Sequence, residues 1–389
     1  MNIRISTAVL LLSTVCSAQY LDSRNRAMGG TGVASSHYTS AGFINPALLT
    51  HFGDTDDFGF IFPSVSITAA DKDGLLDAID VFQDDIDSLK TAIDNATATV
   101  AQRDAVIANL LALNGKQATL NAGTGLSVAM PSETFAWSFV AHSYVDAQVA
   151  PQIDPADEAV IRTAISGAAI DNLKSEGRIL GAAITEVGLA FATQFSVGGT
   201  GISVGATPKV QRVETYNYSI GINSFDDGDF DDSRFRNDTT QFNLDIGAAA
   251  TVLDGMVTFG LVGRNLIEHE SRTVVTNGTV FTRYVGPSIK AGAALRAGGA
   301  TVTVDIDVME VDRFKNNDGS QFLNVGGEHD LFGWLQVRLG FQTDLEDTVS
   351  DLITGGIGIS PFDTVHLDLT GVYGDGDTYG GMLQLWFTF

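Results

Sequence analysis

The sequence predicts an all-β protein, a transmembrane antiparallel β-barrel of about fourteen strands, and three observations predict it. The chain ends on a strict alternation: Leu383, Leu385, Phe387 and Phe389 fall on one side, Gln384, Trp386 and Thr388 on the other. A period of two gives a strand with one apolar face, here finishing on an aromatic residue as a barrel strand presented to the barrel-assembly machinery would. The chain opens on a segment with the layout of a secretory signal. Between these ends, tight turns and long insertions take turns along the chain, which puts all the short connections at one end of a barrel.

The opening segment has Arg4 as its positive region, Ala8 to Val15 as its apolar stretch and Cys16-Ser17-Ala18 as a small-residue cleavage site. Residues 1–18 therefore read as a signal peptide and Gln19 as the start of the mature chain. Cys16 is the only cysteine, so the mature chain has none. That excludes disulfide frameworks, thiolate metal sites and thiol catalysis. No stretch is apolar for long enough to cross a bilayer as a helix, and any membrane span must be a closed sheet. The formal charge of −25, set by 47 acidic against 22 basic residues, argues against nucleic acid as a partner.

Strands follow from Asp57 onward. Phe242, Leu244 and Ile246 alternate with Asn243 and Asp245; Val302, Val304, Ile306 and Val308 with Thr303, Asp305 and Asp307. Leu335, Val337, Leu339 and Phe341 alternate with Gln336, Arg338 and Gln342, and Val365, Leu367 and Leu369 with His366, Asp368 and Thr370. In a barrel the apolar set faces lipid, which leaves Asn243, Asp245, Asp305, Asp307, Arg338, His366 and Asp368 facing the lumen. The seventh and eighth strands read as 256–270 and 279–297, and the ninth as 300–314. The tight turns are Pro131-Ser132-Glu133, Gly198-Gly199, Asp254-Gly255, Gly298-Gly299, Leu331-Phe332-Gly333 and Ser360-Pro361-Phe362.

Two insertions on the long-loop side are helical. Leu75, Ile79, Phe82, Ile86, Leu89 and Ile93 step by four and three, continued by Val100 and Ile107 to Leu113, so residues 72–116 form one long helix or a helical hairpin. Asp154-Pro155 opens a second insertion over 154–176. Both are expected outside the cell, packed on each other as a cap over the barrel mouth.

Before the first strand, residues 19–53 are rich in small side chains: Met28-Gly29-Gly30-Thr31-Gly32-Val33-Ala34, then Asn45-Pro46-Ala47-Leu48-Leu49. These residues resemble the FadL-like family of outer-membrane proteins, whose members fold an N-terminal hatch with an Asn-Pro-Ala motif inside a fourteen-stranded barrel. With the Asp57-Phe58-Gly59 strand start and Asp71-Lys72-Asp73, they look like a group of bacterial chains labelled conjugal transfer protein TraF. The resemblance implies a hatch at 19–53 with Asn45, Pro46 and Ala47 as its motif, a barrel over 54–389, and diffusive uptake of hydrophobic small molecules. The second label implies instead a surface component that docks conjugation or secretion partners. Redox chemistry of the thioredoxin type would need cysteines that the mature chain lacks.

Enzyme motifs do not survive inspection. Gly201-Ile202-Ser203-Val204-Gly205 matches the nucleophile-elbow spacing, but Ile202 and Val204 continue a strand where the elbow needs a strand-to-helix turn. Asp227, Asp229, Asp231 and Asp238 take the first, third, fifth and twelfth places of a calcium loop, yet Asp232 stands where the turn needs glycine. That run reads as a solvated loop, and no cofactor or metal is expected. The expected location is a bacterial outer membrane, with membrane lipid as the first partner.

Overall fold

The computed structural model describes residues 21–53, 55–71, 73–224, 233–314 and 319–389. The signal peptide, Gln19, Tyr20 and the acidic run from Asp226 to Asp232 lie outside them. The barrel strands are β1 Gly59–Ala70, β2 Ala118–Met130, β3 Ala136–Gln152, β4 Glu176–Val197, β5 Thr200–Gly221, β6 Arg236–Val252 and β7 Val257–Arg264. Beyond β8 His269–Arg272 and β9 Thr282–Val285 they continue as β10 Ser288–Ala297, β11 Ala300–Asp307, β12 Phe322–Asp330, β13 Leu335–Asp344, β14 Leu352–Ile359, β15 Val365–Gly374 and β16 Thr378–Thr388.

Fourteen of these close into one antiparallel barrel, and β8 and β9 pair only with each other. β1 against β16 makes the closure, with Phe60 opposite Phe387 and their rings stacked at 4.6 Å. Phe389 extends it: its N–H donates to the Phe58 carbonyl at 2.8 Å and its carbonyl accepts from Phe58 N at 3.0 Å. Closure removes the free edges that would otherwise leave backbone groups unpaired in lipid.

Burial along the strands runs opposite to that of a soluble sandwich, which alternation in sequence cannot reveal. On β15 the polar His366 and Asp368 are buried while Val365, Leu367, Leu369 and Tyr373 are exposed. On β16 Leu383 and Phe389 face outward, with Leu385 and Phe387 partly exposed between buried Gln384, Trp386 and Thr388. An apolar outside around a polar inside is what lipid requires of a barrel.

The tight turns follow from local chemistry. Gly198-Gly199 and Gly298-Gly299 each take two consecutive positive φ angles, the twist a two-residue hairpin needs. At the other end the structure corrects three strand readings. β7 stops at Arg264 because Asn265 turns to φ 52°, and Pro287 precedes β10, so residues 265–287 leave the barrel wall as the β8–β9 hairpin. β11 likewise ends at Asp307 and not near residue 314.

The first insertion is a hairpin of helices, α3 Leu75–Asp94 and α4 Val100–Ala112, the latter opened by a capping box between Thr99 and Gln102. The second holds α5 Asp157–Thr163 and α6 Gly167–Ile170. Their apolar stripes pack together, with Ala118 and Val149 beneath them. Alternation places those two residues on the outer side of the wall, since Thr119 and Asp146 line the lumen. The helices therefore flank the rim and do not cap the mouth.

Candidate functional site: the barrel lumen

Residues from Leu21 to Thr50 lie inside the barrel, toward its tight-turn end, with Leu21, Met28, Tyr38, Leu48 and Leu49 fully buried. α1 Ser23–Ala27 is capped by Asp22, and α2 Tyr38–Ile44 leads to a 3-10 turn, Pro46–Thr50. Asn45 caps that turn: its side-chain oxygen accepts from Ala47 N at 3.2 Å, and its Nδ2 donates to the carbonyls of Val33 at 2.7 Å and Ala248 at 3.3 Å. Pro46 supplies the first residue of the turn, where its missing N–H has no cost.

Glycines on the wall let this segment come close. A Cβ at Gly205 would lie 2.6 Å from the carbonyl carbon of Pro46, and one at Gly356 would lie 2.7 Å from the Ala27 Cβ. At Gly247, Gly260, Gly326 and Gly340 it would overlap Asn45, Val33, Met28 and Gly29 respectively. Only a residue without a side chain permits backbone to meet wall in this way.

Polar wall side chains hold what the glycines admit. Asp305 accepts from Gly32 N at 2.7 Å and Val33 N at 2.9 Å. Thr354 Oγ1 accepts from Gly29 N at 2.9 Å and donates to the Ala27 carbonyl at 3.0 Å. Arg24 forms a two-pronged pair with Glu328, at 2.8 and 2.7 Å. Glu328 in turn accepts from Arg338 at 2.7 Å, Arg338 pairs with Asp368, and Asp368 accepts from Trp386 Nε1 at 2.7 Å. His366 stacks on Trp386 at 3.7 Å and bonds Thr388. Inside the lumen, burial pushes the His37 imidazole down to about 3, aided by Arg24 and His366 and opposed by Glu328.

Across the lumen, Lys209 Nζ donates to Glu186 and Asp245, each at 2.9 Å, and Gln211 bridges Glu186 at 2.6 Å to Asn243 at 2.9 Å. Asn243 and Asp245 thus belong to a second network, apart from that of Arg338, His366 and Asp368. Asp307 sits in a third place, accepting from Phe322 N at 2.9 Å and lying 2.9 Å from Lys290 Nζ. Glu186, Lys209 and Glu328 were not singled out from sequence. The signal was present for Glu186, an acid at an inward position between the outward Val187 and Thr185 of β4. Of the proposed calcium ligands only Asp238 is described, and its carboxylate receives Arg212 Nε at 3.3 Å. Ser203 Oγ is 2.7 Å from Thr50 Oγ1, within a strand.

Above the filled half lies a cavity of about 250 Å³, reached from the long-loop end. The β8–β9 hairpin folds over it: Asn217 Nδ2 donates to the carbonyls of Val274 and Thr279, each at 3.0 Å, and Tyr284 N donates to Arg313 O at 2.8 Å. Its lining includes Tyr144, Asp146, Glu186, Arg264, Arg283 and Lys290.

A closed fourteen-stranded barrel, apolar outside and polar within, filled at one end and hollow at the other, defines a transmembrane β-barrel. The chain belongs to the family described as "F plasmid transfer operon, TraF, protein", whose model matches residues 42–307. In structure it is similar to a monoaromatic hydrocarbon channel, the TodX deltaS2S3 mutant, at a TM-score of 0.56 and 11% identity, over 95% of this chain and 99% of that one. The Ralstonia pickettii toluene transporter TbuX matches at 0.53 and 10%, over 96% and 99%. A Pseudomonas aeruginosa FadL homologue matches at 0.51 and 10%, over 97% and 98%. Identities this low speak for the fold alone. Among curated proteins, none matches the sequence.

Proposed function

We propose that this chain is an outer-membrane channel through which small, largely apolar molecules diffuse inward, with its long-loop end outside the cell and residues 21–53 as its hatch. The observation that carries this reading is the cavity of about 250 Å³ between the hairpin-covered mouth and the filled half of the lumen. A site that a solute can enter, inside a wall with no free edge, is the minimum a passive channel needs. The hydrocarbon and toluene channels that share the fold support the solute class. No coupling to an energy source is needed for diffusion down a gradient.

A second reading, docking within a conjugation or secretion apparatus, draws on the family description and on the helical bundle beside the rim, whose Ile165 and Val100 are 93% and 72% exposed. Expression in a host lacking its own channel separates the two. A channel speeds uptake of toluene or a long-chain fatty acid. If uptake never rises, and deleting the gene lowers conjugation frequency, the docking reading replaces it.

A further inference from the structure

We propose that the β8–β9 hairpin is a gate, which swings on its two ends to open and shut the long-loop mouth and seats on the inner face of β4 and β5. The gate rests on the channel reading, since it governs how a solute reaches the cavity. Each barrel strand is paired on both sides, whereas β8 and β9 pair only with each other. The hairpin can therefore leave its seat without opening an edge in the wall. Its ends suit a change of direction: Asn265 turns at φ 52° on leaving β7, and Gly286-Pro287 leads into β10. Pro287 has no N–H with which to join a ladder.

Apolar packing and a polar latch hold the seated hairpin. Phe281 and Phe314 pack on Leu180 and Ala182, and Val285 packs on Ile184 and Val213. At the tip, Asn217 Nδ2 donates to the carbonyls of Val274 and Thr279, Thr276 Oγ1 donates to the Asn217 carbonyl at 2.6 Å, and Asn277 Nδ2 donates to Glu176 at 2.7 Å. Nearer the base, Thr239 Oγ1 and Ser271 Oγ lie 2.6 Å apart, and Arg283 reaches Asp146 on β3 at 3.2 Å. Against these stand polar atoms that the seated hairpin shuts from water. Arg178 is 4% exposed beneath the Phe281 ring, 5.4 Å from its centroid. Its Nη2 lies 3.5 Å from Glu176, but its Nε and Nη1 have no hydrogen-bond partner among the described residues. Asn217 Oδ1 and Arg283 Nε are buried without one as well. Lifting the hairpin returns these four atoms to water, so seating is weaker than its apolar contacts alone would make it. An element that can leave at no cost to the wall, and that gains hydration by leaving, is built to open.

Two sets of cysteine variants test the gate in the full-length protein, whose mature chain has no cysteine. Asn121→Cys puts a thiol on the cavity lining, and intact cells are treated with a charged thiol reagent that does not cross membranes. Adding Asn217→Ala, which removes the two side-chain bonds of the latch, should speed the labelling by ~tenfold or more. Should that variant fail the heat-modifiable check on folding, Asn277→Gly takes its place with the same expectation, because glycine accepts the positive φ there. Equal labelling with and without the latch overturns the gate. Thr239→Cys with Ser271→Cys then locks the base, since two oxygens 2.6 Å apart stand close to the spacing of about 2 Å that a disulfide needs. Oxidation with diamide should lower toluene uptake in a host lacking its own channel by ~tenfold, with recovery on reduction by dithiothreitol, as shutting a sole entrance requires. Equal uptake by the locked and reduced forms, both above the host's own, removes the gate and keeps the channel. If neither form raises uptake, the channel reading falls, and the labelling rate decides the gate by itself.

Discussion

The two halves of the lumen are built from the same strands, and often from inward positions only two residues apart. On β10, Gly292 faces Val33 of the N-terminal segment while Lys290 lines the cavity; on β7 the same division falls between Gly260 and Arg264. On β13, Gly340 abuts Gly29, and Gln342 marks the boundary, lining the cavity while its Oε1 accepts from Arg26 at 3.1 Å. The N-terminal backbone thus takes the space where inward positions are glycines, held there by charged neighbours such as Asp305 and Glu328. The open half is lined by side chains such as Lys290 and Arg264 that meet no N-terminal backbone.

The comparison breaks most sharply if a side chain is put where the wall has none. Gly340→Val would overlap the backbone of Gly29, which cannot turn aside as a flexible side chain would. The cost should exceed the ~1–3 kcal/mol usual for an overfilled core, enough to unseat the segment locally. The expected outcome is a barrel that still shows heat-modifiable migration but has raised conductance in planar bilayers and a protease-sensitive N-terminus. Unchanged conductance and unchanged protection would mean that the segment is not held by close approach.

A smaller effect comes from acid. His37 is held neutral in the lumen with a pKa of about 3, first by burial and then by Arg24 and His366. Released into water it would titrate near its ordinary 6.5, so between those limits the released form binds more protons. Seating is therefore fully supported above pH 6.5 and weakens as the pH falls below it, by up to about 1.4 kcal/mol per unit. Asp22 acts the other way, because burial raises its carboxyl and acid favours its seated form. Comparison with His37→Asn, which can still cap α2, isolates the histidine. Proteolysis of the N-terminus should rise between pH 7 and pH 5 in the wild type and rise less in the variant.

Much of this was legible in the sequence, for a physical reason. Alternation and turn chemistry are local, so the strand count, the turn at Gly198-Gly199 and the terminal strand with Phe387 and Phe389 could be read from neighbours along the chain. The grouping of polar positions such as Asn243 and Asp245, or Arg338 and Asp368, into separate networks could not be read that way, because it depends on which strands lie across the lumen. Glu328 shows the limit: its importance comes from Arg24, 304 residues away. The glycine contacts were equally hidden, because a glycine within a strand reads only as a weak strand former. The two strands drawn through 265–287 misled because the hairpin has true strand composition and pairs outside the barrel.

The finest test of the comparison uses two hydroxyls four residues apart. Thr354 lies on β14 against the N-terminal segment, where it accepts from Gly29 N and donates to Ala27 O. Ser350, just before the strand, lines the cavity. Thr354→Val keeps the shape and removes both bonds, leaving Gly29 N with only its 3.2 Å bond to the Arg26 carbonyl, at a cost of ~1–3 kcal/mol for the two bonds lost. Ser350→Ala removes a hydroxyl from hydrated volume, where water replaces whatever it bonded, and should change stability by ~0.5 kcal/mol or less. Thermal unfolding in detergent, with protease protection of the N-terminus, reads both variants. A large loss for Thr354→Val beside none for Ser350→Ala sharpens the division of the lumen. Equal losses would mean that the upper half is packed as tightly as the lower, and that the cavity is not a place a solute can occupy.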